Sequence, residues 1–246
     1  MLVVIKPSLL VHCLKMLEDN LMKFSFIICT NLSISAKMRL QEIIKSIQDQ
    51  KIPDDHYEII IIGGKGTFNT NCLNAYHIEF DEDIRKGWIT KKKNIAAKSA
   101  QYENLVIMHD YFVLDDDWYR QFTLFGNDWD IAMNARIMMD GRRQCTDWAI
   151  YKHPKYYNVI GIPYWAKSKY QYVDASYFVV KRKWFLNDRM YDENLVWGDA
   201  EDIEWSKRVL NDSVSLVMNE KSIVRHNKIH DNCGRLSYKM DEWYGD

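Results

Sequence analysis

Three short runs in this chain are apolar at nearly every position: Phe24-Ser25-Phe26-Ile27-Ile28-Cys29, Tyr57-Glu58-Ile59-Ile60-Ile61-Ile62 and Leu105-Val106-Ile107-Met108. A strand with one wet face alternates apolar and polar residues, whereas a continuously apolar strand must be covered on both faces. The segments between the runs supply covers. Leu40, Ile43, Ile44 and Ile47 recur at helical spacing within 33–50, and 90–102 reads as a second helix. A weaker strand is expected over 75–80. This alternation predicts an α/β chain with a mostly parallel central sheet. Ligands of such sheets bind beyond the carboxyl ends of the strands. Those ends carry Thr30-Asn31, Gly63-Gly64-Lys65, Asp81 and His109-Asp110, which are polar or leave backbone exposed.

The second half changes character. Strands are expected over 130–139 and 173–181 and a helix over 199–210. Between 148 and 191 Trp and Tyr are abundant without a clean period. An apolar segment at 214–218 is followed by a turn and by Val224-Arg225-His226-Asn227. No linker or repeat divides the chain. Residues 22–246 therefore read as one domain in two halves, one (22–117) whose strand ends suit a nucleotide and a second (118–246). Residues 1–21 form an extension with no assigned role. They read either as a surface-docking helix over 9–21 or as upstream of a start at Met22, the second being favoured.

The formal net charge of −1 gives no reason to expect nucleic-acid binding. No apolar stretch is long enough to span a bilayer. The five cysteines show no C-x-x-C spacing, and free thiols fit a reducing, cytoplasmic setting. Oligomeric state is not legible.

Four constellations bear on chemistry. Asp110 ends an apolar strand, where a carboxylate either caps a loop or holds a hard divalent cation such as Mn²⁺ or Mg²⁺. Asp115-Asp116-Asp117, just downstream, reads as the start of a helix carrying Trp118 and Tyr119. Lys91-Lys92-Lys93-Asn94 opens an Ala-containing helix and is either a solvated charge run or a contact for phosphate or ribose. In Trp197-Gly198-Asp199-Ala200-Glu201-Asp202, Asp199 is a candidate helix cap, and the acids suit the positive end of a helix dipole. The same acids are also candidates for general-base work. Asp199 and Asp202 are three residues apart, hence on one helical face. His226 is a candidate metal or phosphate ligand, or a structural histidine.

Taken in order, these pieces resemble the GT-A glycosyltransferases, in particular the inverting family 2 type, over roughly residues 22 to 230. The resemblance implies a single-domain GT-A fold and transfer of a sugar from a nucleotide-diphospho-sugar donor to a saccharide or glycan acceptor. Thr30, Asn31, Gly63 and Gly64 would line the nucleotide pocket, with Lys93 and Asn94 on the donor and Asp81 near the base or ribose. Asp110 would hold a divalent cation, with His226 as second ligand. Asp202 would be the general base, with Trp197, Asp199 and Glu201 near the acceptor. Trp148, Tyr164 and Trp165 are further candidates for stacking on sugars. A lipid-linked acceptor would need peripheral docking. The sequence departs from the family pattern twice: the D-x-D is here His109-Asp110-Tyr111, and Gly63-Gly64 replaces an acidic pair. Two other readings are a binding protein with a decayed active site and a sugar-phosphate nucleotidyltransferase. The latter ranks lower, because its Gly-rich, basic loop is absent after the first strand.

Overall fold

The structure is a computed structural model that describes residues 22–151, 159–211, 213–228 and 236–238. The extension 1–21 lies outside the described residues. Strand β1 (Phe24–Cys29) has all of its positions buried and sits between two parallel neighbours, β2 (Tyr57–Ile62) and β4 (Asn104–His109). Beyond β2 lies β3 (Ala75–Ile78), also parallel. Side chains on β1 point alternately to the two faces. Phe24, Phe26 and Ile28 pack with Leu40, Ile43 and Ile47 of helix α1 (Ile34–Gln48), while Ile27 and Cys29 pack with Ala96 and Ala97 of α2 (Ile89–Ser99). The continuous apolar runs are thus covered on both sides, as expected. The buried Ser25 is satisfied by donating to Glu58 across β2 at 2.6 Å.

Four of the remaining strands extend this sheet, and three form a separate small one. Strand β5 (Phe112–Leu114) follows β4 in the chain but pairs with the last strand of the sheet, and the acidic run then leads into α3 (Trp118–Phe125). Trp118 and Phe122 of α3 pack edge-on against Phe24 or tilted against each other. Next come β6 (Ile131–Met138), β7 (Ala149–Tyr151), β8 (Val159–Gly161), β9 (Gln171–Tyr172), β10 (Tyr177–Lys181), α4 (Arg182–Leu186), α5 (Glu201–Val209) and β11 (Leu216–His226). The main sheet has the order β3-β2-β1-β4-β10-β6-β11-β5, and a small antiparallel sheet has the order β8-β7-β9. In the main sheet β10 runs antiparallel to both β4 and β6, and β5 runs antiparallel to β11. The sheet is therefore mixed but mostly parallel.

Three boundaries differ from the sequence expectation, each for a local reason. The strand expected over 173–181 is broken before Tyr177, because Asp174 accepts from the Ser176 amide at 2.8 Å and turns the chain from the small sheet into the large one. The segment 214–218 and the later 224–227 are one strand, β11, interrupted by a register shift between Asn219 and Val224. Asn219 holds that bulge by accepting from the Ser222 amide at 3.2 Å. Helix α5 begins at Glu201 rather than Asp199, since Ala200 is left-handed with φ 57°. Asp199 therefore does not cap the helix or share a helical face with Asp202. Its carboxylate accepts from the Val196 amide at 3.0 Å instead. Asp117 precedes α3, but its carboxylate engages Arg120 and Gln121 rather than the helix amides. Among the described residues no helix is long and apolar enough to cross a membrane.

Candidate active site

The carboxyl ends of β1 and β4 open on a cleft of about 540 Å³. Asn31 comes from the loop after β1, and Glu82, Lys86 and Gly87 from the loop after β3. Lys92 comes from α2, His109 from the end of β4, and Trp197 from the segment before α5. Trp197 is 72% exposed, so its indole forms an open wall. It lines the same cleft as Asn31 and Lys92. Its amide donates to the carbonyl of Gly87 at 2.8 Å, which joins the two loops.

Thr30 lies beneath this cleft as a junction. Its hydroxyl donates to Asp110 Oδ2 at 2.8 Å, and its carbonyl accepts from Lys92 Nζ at 3.1 Å. Asn31 turns the chain by accepting from the Ser33 amide at 3.0 Å. Gly63 and Gly64 let the end of β2 approach this loop. A Cβ on Gly63 would lie 1.8 Å from the Thr30 carbonyl oxygen, and φ is +127° there. Their role in the structure is thus close backbone packing below the cleft. Asp81 is outside the cleft lining. Its carboxylate is occupied by the Asp83 amide and Lys65, which hold it below the usual carboxylate range. The acid that faces the cleft is its neighbour Glu82, paired with Lys92 at 2.6 Å.

The basic run divides by helical geometry. Lys91 pairs with Glu193, and Lys92 faces the cleft. Lys93 is fully buried and donates to the Ala175 carbonyl at 2.7 Å, with its ammonium 5.0 Å above the Tyr191 ring. Burial lowers its affinity for a proton, while Cys29, Glu201 and Asp202 act the other way. Asn94 uses its amide to hold the backbone of Tyr191 in both directions, at 2.9 and 3.0 Å. It braces the loop before Trp197 instead of facing the cleft.

Beside Lys93 lies the carboxylate pair at the start of α5. Glu201 is 7% exposed, and burial followed by repulsion from Asp202 pushes its carboxyl up. Burial also pushes Asp202 up, opposed by a hydrogen bond from the Tyr172 hydroxyl. A buried carboxylate raised in this way is a stronger base than one in water and suits proton abstraction.

Several residues of this centre escaped sequence reasoning. Arg136 on β6 is fully buried and donates to Asp174 at 2.8 Å and to Ser176 at 3.2 Å. Burial alone would raise the Asp174 carboxyl, but Arg136, Ser176 and Thr146 overcome it and hold it well below the ordinary range. An Arg within one strand and an Asp breaking another are the only signals for this pair, and nothing in the sequence pairs them. His109 Nδ1 hydrogen-bonds with the Tyr111 hydroxyl at 2.8 Å, while Nε2 has no partner. Burial first, then Lys93, holds this imidazole neutral.

Asp110 and His226 were expected to share a cation. Asp110 Oδ2 is taken by Thr30 and by Arg39 of α1 at 3.2 Å, and Arg39 also donates to the Asp110 carbonyl at 2.7 Å. His226 packs 4.8 Å from the Tyr111 ring and 5.2 Å from Phe112, with Nδ1 3.0 Å from the Lys228 carbonyl. Among the described residues no three His, Cys, Asp or Glu side chains gather as metal ligands. Among the described residues, Asp110 and His226 are each engaged elsewhere, and no donor set for a divalent cation is complete. Of the aromatic candidates, Trp148 is buried and donates to the Ala166 carbonyl at 2.7 Å, Tyr164 donates to Asp147 at 2.5 Å, and Trp165 is exposed.

No protein-family model matches the chain and no curated protein matches it. Solved structures do. Residues 1–349 of TarS from S. aureus superpose with a TM-score of 0.59 at 18% identity, over 84% of this chain and 60% of that one. The mannosyltransferase PcManGT from Pyrobaculum calidifontis, solved with GDP-Man and Mn²⁺, gives 0.58 at 11% identity over 85% and 58%. GalNAc-T7, solved with UDP, GalNAc and Mn²⁺, gives 0.62 at 15% identity over 92% and 47%. The chain thus spans 47% to 60% of the length of these three. What it shares with them is the fold, that of the GT-A glycosyltransferases.

Proposed function

We propose that the chain is a glycosyltransferase that moves a sugar from a nucleotide-diphospho-sugar to a saccharide or glycan hydroxyl with inversion, Asp202 serving as general base. The observation that carries this reading is the placement of a buried, proton-hungry carboxylate pair a few residues after Trp197, which walls the strand-end cleft. The cleft has room for a nucleotide, and its Lys86 and Lys92 suit a diphosphate. TarS has been solved with UDP-GlcNAc in this fold.

In the reaction, the donor lies across the strand ends with its diphosphate toward Lys86 and Lys92. His109, neutral and fixed at Nδ1 by Tyr111, lines the cleft, and its Nε2 is buried without a partner among the described residues. Asp202 takes the proton of the acceptor hydroxyl. The oxygen attacks the anomeric carbon from the face opposite the leaving nucleoside diphosphate, so one displacement inverts the centre. The family resemblance implies a divalent cation, Mn²⁺ or Mg²⁺, on Asp110. With Arg39 holding that carboxylate, no step is assigned to a metal here.

The test is a binding and turnover comparison of UDP-GlcNAc, GDP-mannose and UDP by calorimetry and product release, with and without Mn²⁺. Asp202→Asn is expected to bind the accepted donor within a factor of about three of the parent chain and to lose transfer. Loss of binding and turnover together would assign Asp202 a structural role. Binding without turnover in the parent chain would instead favour a carbohydrate- or nucleotide-binding protein. Mn²⁺ alone is expected to leave the thermal midpoint of the free chain unchanged, because no complete donor set gathers among the described residues.

A further inference from the structure

A second cavity, of about 650 Å³, shares no lining residue with the strand-end cleft. Its wall includes Gln171, on β9 of the small sheet, whose side chain is 7% exposed. Among the described residues, neither the amide nitrogen nor the amide oxygen of Gln171 has a hydrogen-bond partner. Buried polar atoms are almost always paired, and leaving both ends of one amide unpaired destabilises the free protein. The neighbouring residue, Tyr172, reaches Asp202. Since consecutive strand residues point to opposite faces, Gln171 is directed away from the catalytic carboxylates.

The rest of the lining is chemically specific. Lys167 and Lys169 line the same cavity, and no lining residue is Asp or Glu. Leu210, Val214 and Leu216 form an apolar side. An amide carrying one donor and one acceptor end matches a pair of neighbouring hydroxyls, the ammonium groups match an acid, and the aliphatic side matches the C–H face of a pyranose. Both amide atoms of Gln171 are covered in the free protein, and the broad terminal torsion of Gln lets the amide turn onto an occupant of the cavity.

We infer that this cavity is a binding site for a saccharide unit bearing an anionic group, separate from the donor cleft and held by Gln171, Lys167 and Lys169. The site stands or falls independently of the transfer reaction, and Asp202→Asn is expected to leave its affinity unchanged.

The experiment is calorimetric titration of the full chain with glucose 6-phosphate, glucuronic acid, glucose and inorganic phosphate. At least one of the two acidic sugars is expected to bind at least tenfold more tightly than both glucose and phosphate. Gln171→Leu is expected to weaken that binding tenfold or more while its thermal midpoint stays equal to or above that of the parent, since the substitution removes an unpaired buried amide. Gln171→Met serves the same purpose should the branched side chain fit poorly. Lys167→Ala with Lys169→Ala is expected to abolish the preference for the acidic sugar over glucose. The inference is overturned if none of the four probes binds, if phosphate alone binds as well as the acidic sugars, or if folded Gln171 variants bind them as the parent does.

Discussion

The hydroxyl of Tyr172 donates a hydrogen bond to Oδ2 of Asp202, tying strand β9 of the small sheet to the first turn of α5. This bond favours the ionised carboxylate, against the burial that disfavours it. Tyr172→Phe is therefore expected to push the Asp202 carboxyl further up and to move the acid limb of the kcat/KM profile to higher pH. Donor affinity should be unchanged. Asp202→Asn is expected to lower kcat by about 10² to 10⁴, the usual contribution of a positioned base. A pH profile of Tyr172→Phe superimposable on that of the parent would remove Tyr172 from the mechanism.

Glu201 and Asp202 also set a pH dependence of stability. Burial raises both carboxyls above their unfolded values, so the folded state binds protons more tightly than the unfolded state. Their contribution is fully favourable below the ordinary carboxylate range and is lost as pH rises through their raised values. Glu201→Gln and Asp202→Asn should accordingly raise the thermal midpoint at neutral pH, with the gain shrinking as pH falls toward the ordinary carboxylate range. Midpoints measured across that range check the sign. A gain that grows on acidification contradicts it.

Arg136 and Asp174 respond in the opposite sense. The buried guanidinium and its neighbours hold Asp174 below its unfolded value, so the carboxylate contributes stability above the ordinary range that is lost on strong acidification. Arg136→Met strands that carboxylate in the interior. A loss of about 3–5 kcal/mol in urea unfolding is expected, as for other broken buried ion pairs.

At Gly63 the backbone of β2 meets the Thr30 carbonyl. Gly63→Ala places a methyl in that contact at a φ which L-residues avoid. A destabilisation of about 1–3 kcal/mol follows from backbone strain alone, and the loop carrying Asn31 must shift. Weakened nucleotide binding in calorimetry, together with a lower urea midpoint, is the expected result.

Much of the fold was legible because it rests on local chemistry. The run Phe24–Cys29 dictates a strand covered on both faces wherever it lies, and Leu40, Ile43 and Ile47 dictate a helix that covers one of them. The position of Asp110 at a strand end, and of Glu201 and Asp202 at a helix start, follows equally from neighbouring residues. Long-range pairing was not legible. Asp110 meets Arg39 across 71 positions and Asp174 meets Arg136 across 38, and no local period encodes such contacts. Likewise Lys93, adjacent in sequence to Lys92, turns into the core while Lys92 turns to the cleft, because helical rotation separates neighbours that the sequence writes together. The sequence by itself determined which segments form strands and helices and which ends of the sheet are polar, since burial and periodicity act over a few residues. Only the tertiary structure decided which charges are buried against which, because desolvation and ion pairing depend on what the folded chain brings within a few ångströms.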